Sequence, residues 1–165
     1  MQTYRHRFDQ VTGYLHHRPP YLLIDQIDTI AEDHVVASRT IGGDESFITG
    51  HFPGAPIMPG AMMQEMTTQT GGVLIAANHS PIADYDTSDP DHNPMALGVL
   101  VKIKSARYRG FARPGDRLIA TAKLIQQVGQ TFEFVGRVEV GEKTILRNEF
   151  QLANIDTNVL QGRTG

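Results

Sequence analysis

Residues 59–78, PGAMMQEMTTQTGGVLIAAN, carry a single charged side chain, Glu65. The stretch reads as a helix opening at Pro59, because proline is at home in a first helical turn. Ala61, Met62, Met63, Met66, Val73, Leu74, Ala76 and Ala77 put apolar surface on most of its sides. Such a helix is buried rather than laid on a surface, so the rest of the chain has to fold around it. Gly71 and Gly72 each cost about 1 kcal/mol relative to alanine in a helix interior. A close backbone approach by another element would offset that cost.

The cover is supplied by strands. YLLIDQIDTI and HVVASRTI read as two strands joined by a turn at AEDH. Past the helix, MALGVLVKIKSARY, DRLIATAKLIQQV, TFEFVGRVEV and KTILRNEFQLANI read as four more, with turns at ARPGD, GQ and GE. Their alternation of apolar and polar residues suits an antiparallel sheet with one buried face. The expected class is α+β, a sheet curled around one long central helix. The chain of 165 residues is expected to be a single domain with its core at about 15–155. Residues 79–94 form a polar, acidic loop insertion, and 156–165 are expected to fray.

Composition narrows the function. There is no cysteine, hence no disulfide framework and no thiolate chemistry, which suits a cytoplasmic protein. A net charge of −3 argues against nucleic acid as a partner. No apolar run approaches membrane-spanning length, and MQTYRHRFDQ lacks the apolar centre of a secretory signal. The acidic loop DYDTSDPDHN lacks the glycine and terminal glutamate of an EF-hand. His16, His17, His79 and His92 show no zinc spacing, so no metal is expected.

Three groups carry possible chemistry. Glu65 and Gln69 are four residues apart and share a helix face, so the amide can orient the carboxylate. Desolvated, such a carboxyl suits acid–base work near neutral pH; the alternative is a solvated glutamate on an exposed edge. His51 leads the proline-punctuated turn HFPGAP, which would hold a general base rigid, although a loop histidine is also often simply structural. Gly60 opens the helix, where free N–H groups can serve a carbonyl oxygen, as they can at any helix start.

The run GHFPGAPIMPGAMMQEMTTQTGG resembles the (3R)-hydroxyacyl-acyl-carrier-protein dehydratases of type II fatty acid synthesis. That family reads G-H-F-P-x-x-P-x-x-P-G and then a helix bearing E-x-x-x-Q, matched here by His51, Phe52, Pro53, Pro56, Pro59, Gly60, Glu65 and Gln69. HHRPPYLLIDQI and SARYRGFARPGDRL resemble its flanking H-R-x-P-F-L-L-V-D and A-R-F-x-R-P-x-x-P-G-D segments. The resemblance implies a hotdog fold and an obligate homodimer that can assemble further into a trimer of dimers. It implies His51 and Glu65 as catalytic groups given by different subunits, Gly60 as oxyanion donor and Gln69 as support. Phe52, Met58 and Pro59 would line the substrate site; the 79–94 loop, longer than the family's connection, offers Tyr85 as a candidate lid, the alternative being a surface insertion with no role. The implied reaction turns a 3-hydroxyacyl thioester on acyl carrier protein into a trans-2-enoyl thioester and water, without a cofactor. Glutamate at 65, where the isomerising relative carries aspartate, implies dehydration alone.

Acyl carrier protein is acidic, and Lys102, Lys104, Arg107, Arg109, Arg113 and Arg117 are the densest basic cluster. Arg107, Arg109 and Arg113 are the expected contacts, an ordinary solvated strand face being the alternative. Three departures from the family stand out. Gln64, Thr67 and Thr68 are polar where apolar or small residues are usual, the 79–94 loop is long, and RGFA replaces R-P-V. Two other functions remain open: a hotdog thioesterase, and a non-catalytic subunit that binds acyl chains or carrier protein.

Overall fold

The structure is a computed structural model, described for residues 2–89 and 93–163; His92 and the last two residues of the tail lie outside the described residues. Helix α1 (Val11–Tyr14) precedes β1 (Gln26–Ile30) and β2 (His34–Thr40), α2 (Ser46–Thr49) and the long α3 (Gly60–Asn78). Strands β3 (Met95–Tyr108), β4 (Arg117–Val128), β5 (Thr131–Val140) and β6 (Lys143–Asp156) follow, then one turn of helix, α4 (Thr157–Leu160). One antiparallel sheet results, in the order β1-β2-β4-β5-β6-β3. It curls around α3, giving the α+β hotdog arrangement.

Alternation builds the inner face. Leu118, Ala120 and Ala122 of β4 and Phe132, Phe134 and Val138 of β5 are buried, while Lys123 and Arg137 point out. One apolar cluster surrounds the C-terminal half of α3, from Val73 to Ala77, with Phe132, Phe134, Phe150 and Leu152. A second surrounds its N-terminal half, with Met63, Met66, Leu118, Val138 and Leu146. The β4–β5 and β5–β6 turns place Gly129 and Gly141 at φ +60° and +58°, which tight hairpins favour.

Gly72 has the neighbour that its cost implies, whereas a Cβ at Gly71 would meet the Leu152 and Phe134 side chains. Gly98 bulges β3 at φ +73°, and a Cβ there would lie 3.0 Å from the Gly72 Cα. Strand and helix backbones therefore meet without side chains between them.

Residues 21–25 are not strand. Tyr21 O and Leu23 N bond to the Gln69 side chain at 2.9 and 2.8 Å, so this apolar run is tied to the helix instead. The segment before α1 also departs from a plain terminus. His6 N and Arg7 Nη1 both donate to Ala77 O, satisfying a carbonyl of the last helical turn that has no intrahelical partner. The described part of the 79–94 loop packs on this layer. Tyr85 is buried with its hydroxyl on Tyr14 O at 2.7 Å, Arg18 donates to Thr87 O, and Asn93 bonds to His16.

Gly98→Ala should destabilise the protein more than Gly129→Ala. Both pay about 1–2 kcal/mol for a left-handed backbone, but open space surrounds Gly129 whereas Gly98 meets the helix. Urea unfolding midpoints of the two variants measure the difference; equal losses would mean that the strand–helix approach carries no energy.

Candidate active site

The turn that carries His51 is pinned at both ends. Before it, Glu45 accepts from Gly42 N, Gly43 N and Arg39. Burial alone would raise this carboxyl, but those donors hold it down at about 2. After it, Met58 N donates to Ala112 O at 2.8 Å. Met58 is 1% exposed and belongs to the core cluster below the turn, so its side chain anchors the turn rather than facing a ligand. Phe52 is exposed, its ring 4.4 Å from that of His51. The His51 Nδ1 lies 3.1 Å from Ile57 O. A carbonyl can only accept, so Nδ1 carries the proton and Nε2 keeps the lone pair a general base needs.

Pro59 caps α3 and Gly60 is its first residue. Gly60 is closely covered: a Cβ there would lie 2.8 Å from the Tyr108 ring. One turn on, Glu65 is 14% exposed. Its Oε1 accepts from Gln69 Nε2 at 3.1 Å, and the Tyr21 hydroxyl also bonds to it. Burial pushes its pKa above the usual carboxylate value, against the pull of those two hydrogen bonds. The Gln69 amide has no choice of orientation. Its oxygen takes the Leu23 N–H, which leaves the nitrogen to face Tyr21 O and Glu65.

His17, which sequence reasoning treated only as a possible metal ligand, stands with Nε2 3.7 Å from Glu65 Oε1 and its ring stacked on Tyr21. Burial, with His16 and Arg18 nearby, lowers its pKa, so the contact with Glu65 is not an ion pair near neutral pH. A sequence signal did exist. Gln69 ties the HHRPPYLLID segment to the helix, and the residues just before Tyr21 follow it there.

Glu65, His17, Tyr21 and Thr68 line a cavity of about 440 Å³ whose other walls include Met95, Leu97, Val99, Leu100, Tyr85 and Leu160. Glu65 also lines an open groove beside Gly60, Leu100, Ile103 and Tyr108. His51 lines neither. Tyr85 is on the cavity wall, held by its bond to Tyr14 O. A groove of about 550 Å³ along β1 and the N-terminal segment contains none of the motif residues.

The unusual polar residues of α3 hydrogen-bond away from Glu65, although Thr68 shares its cavity and Gln64 its groove. Asn148 Nδ2 on β6 donates to Gln64 Oε1 and Thr67 Oγ1, both at 2.7 Å, and the Thr67 and Thr68 hydroxyls donate to Gln64 O. Arg107, Arg109 and Arg113 are exposed, Arg113 over the Phe111 ring. Sheet register sets Arg147 opposite Arg107, and Arg137 opposite Arg147. Those two cations extend the patch and had no signature in the linear sequence. Among the described residues no group of three or more His, Asp or Glu is placed to hold a metal, and no helix is long and apolar enough to cross a membrane.

Residues 15–149 match the FabA-like domain family. The 3-hydroxyacyl-[acyl-carrier-protein] dehydratase FabZ of Syntrophobacter fumaroxidans is 36% identical over 140 residues, covering 85% of this chain and 88% of that protein. The enzyme of the same name from Thiobacillus denitrificans is 32% identical over 135 residues, 80% and 86% of the two chains. Among solved structures, the dehydratase heterocomplex ApeI:P from Xenorhabdus doucetiae superposes with a TM-score of 0.74 at 20% identity, covering 96% of this chain and 100% of that one. Thioesterase superfamily member 2 from Mus musculus has the same fold at a TM-score of 0.56 and 11% identity, over 78% and 80% of the chains.

The raised pKa of Glu65 has a sign that can be checked. A carboxyl raised on folding keeps its full contribution to stability below the unfolded value, near 4.5, and loses it as pH rises through the folded value. Glu65→Gln removes that loss while keeping an acceptor for Gln69. The thermal midpoint of the variant should therefore rise above that of the parent as pH increases past 4.5, with no such trend in more acidic buffer. A midpoint difference that does not change with pH would show that burial does not penalise the charged form.

Proposed function

The chain belongs to the FabA-like domain family, and from that membership we propose that it is a hydro-lyase acting on (3R)-3-hydroxyacyl thioesters of acyl carrier protein, with trans-2-enoyl thioesters and water as products. The observation that carries this reading is the division of the two motif groups. Glu65 is desolvated, oriented by Gln69 and set at a cavity, while His51, with Nε2 available, lies outside both spaces that Glu65 lines. Each half is built for proton transfer, and each lacks the other.

A second copy of the chain would supply the missing half. Among the described residues β3 pairs only with β6, so its outer edge is open there, and Val101, Ile103 and Tyr108 along it are about half exposed. An unpaired edge of this length invites pairing, and a homodimer joined along β3 would cover it.

His51 of one subunit would take the proton from the carbon next to the thioester carbonyl. The N–H groups at the start of α3, Gly60 first, would stabilise the enolate oxygen together with the helix dipole. Glu65 of the other subunit, its pKa raised by burial, would give its proton to the departing hydroxyl, which leaves as water. Transfer of the proton from His51 back to Glu65 through solvent closes the cycle. The exposed arginines 107, 109 and 113, continued by Arg147 and Arg137, offer an acidic carrier protein a cationic landing strip.

Incubation with a crotonyl thioester is the test. Reversible hydration supports the reading, release of free thiol would indicate a thioesterase, and no reaction a binding subunit. His51→Ala should lower turnover by about 10²–10⁴-fold, the usual contribution of a general acid or base, with the fold retained. A mixture of His51→Ala and Glu65→Gln proteins, with subunit exchange verified, should regain activity, because a mixed dimer holds one intact site. Exchange without recovery would rule out a site shared between subunits.

A further inference from the structure

The cavity at Glu65 has a far end, and that end is closed in part by residues outside the family match, which stops at 149. Strand β3 forms one long wall. Leu100 lines both spaces that contain Glu65, so it marks the near end. Met95, Ala96, Leu97, Gly98 and Val99 continue along the cavity. Across the Gly98 bulge, Met95 and Leu100 pair with Asp156 and Leu152 of β6, so at about 3.3 Å per residue of β6 Met95 lies roughly 13 Å beyond Leu100. Met95 is paired with Asp156 of β6, so α4 begins at this remote end. Thr157, Leu160 and Gln161 line the cavity there.

The turn is fastened in place. Asp156 caps it by accepting from Asn158 N at 2.8 Å. Thr157 donates through its backbone N–H to Pro94 O and through its hydroxyl to Asn93 O. Asn93 in turn bonds to His16, and Tyr85 to Tyr14 O, so the loop, the N-terminal layer and α4 form one connected wall.

We propose that α4 is the end stop of the acyl cavity, with Leu160 as the residue that sets the longest acyl chain the site accepts. This rests on the dehydratase reading above and adds to it a determinant of substrate length. The chemistry is apolar contact. A chain that reaches Leu160 gains burial, and one that would pass it must displace a turn held by three hydrogen bonds.

Leu160 is 52% exposed, so its replacement costs little stability. Leu160→Trp extends the stop toward Glu65. It should lower kcat/KM for a 3-hydroxyhexadecanoyl thioester by about tenfold or more, the scale of a misfit in an apolar pocket, and leave the 3-hydroxybutyryl thioester within about twofold. Ending the chain after Asp156 should shift preference the other way, toward longer chains. If both variants turn over the short substrate normally and keep the parental ratio of long to short, the assignment of α4 is wrong while the dehydratase reading stands. If the parent protein turns over neither substrate, the dehydratase reading falls, and calorimetric binding of a long-chain acyl-pantetheine to parent and Leu160→Trp still reads the wall: equal affinities overturn the proposal.

Discussion

The Gln69 side chain joins three parts of the chain at one point. Its oxygen holds the Leu23 N–H, and its nitrogen holds Tyr21 O and the Glu65 carboxylate. Every polar atom of the amide is used, so neither rotation nor an amide flip is available without leaving a buried backbone group unpaired, at about 1–3 kcal/mol. The same contacts fix the segment that carries His17 and Tyr21 against α3. The position of the candidate acid and the path of the N-terminal segment are therefore one structural decision.

A similar economy governs the polar residues inside the sheet. Asn148 is the only β6 partner given to Gln64 and Thr67 among the described bonds, and it serves both with one NH₂ group. Gly136 opposite is bare because a Cβ there would collide with the Asn148 oxygen. The cluster ties α3 to β6 from within the core, with Gln64 Nε2 and Asn148 Oδ1 left without a partner among the described residues, and leaves the Glu65 carboxyl to Gln69 and Tyr21. On the outer face the logic is reversed. Arg107, Arg147 and Arg137 stand side by side on adjacent strands, an arrangement in which like charges repel. Only Arg137 has a salt bridge to a neighbouring strand residue among those described, to Glu139 at 3.3 Å.

What was legible in the sequence was periodic or contiguous. β5 alternates strictly and its ends coincide with TFEFVGRVEV; α3 follows from its lack of charge; the glycine at 72 implied the close approach that Gly98 makes. What was illegible depended on partners distant in sequence. Tyr21–Asp25 looks like strand because its side chains are apolar, yet Gln69, more than forty residues later, claims its backbone. Met58 sits inside the motif but is buried in the core cluster with Met63, Leu118 and Leu146, which no local pattern announces. Arg147 and Arg137 join Arg107 only through strand register. His17 was weighed as a metal ligand because histidine spacing can be read along a line, whereas nearness to Glu65 cannot.

The contact between Gly72 and Gly98 has a consequence for how such a protein can change over time. Two backbones touch there, so the lengthwise position of α3 along β3 is not negotiated by side chains. Core residues can drift in size, and the protein can soften or stiffen, without Glu65 sliding along the strand. The helix and strand act as a ruler with a fixed zero. Variation in what is measured against that ruler is left to the segments that close it, which are free to differ because the sheet does not depend on them.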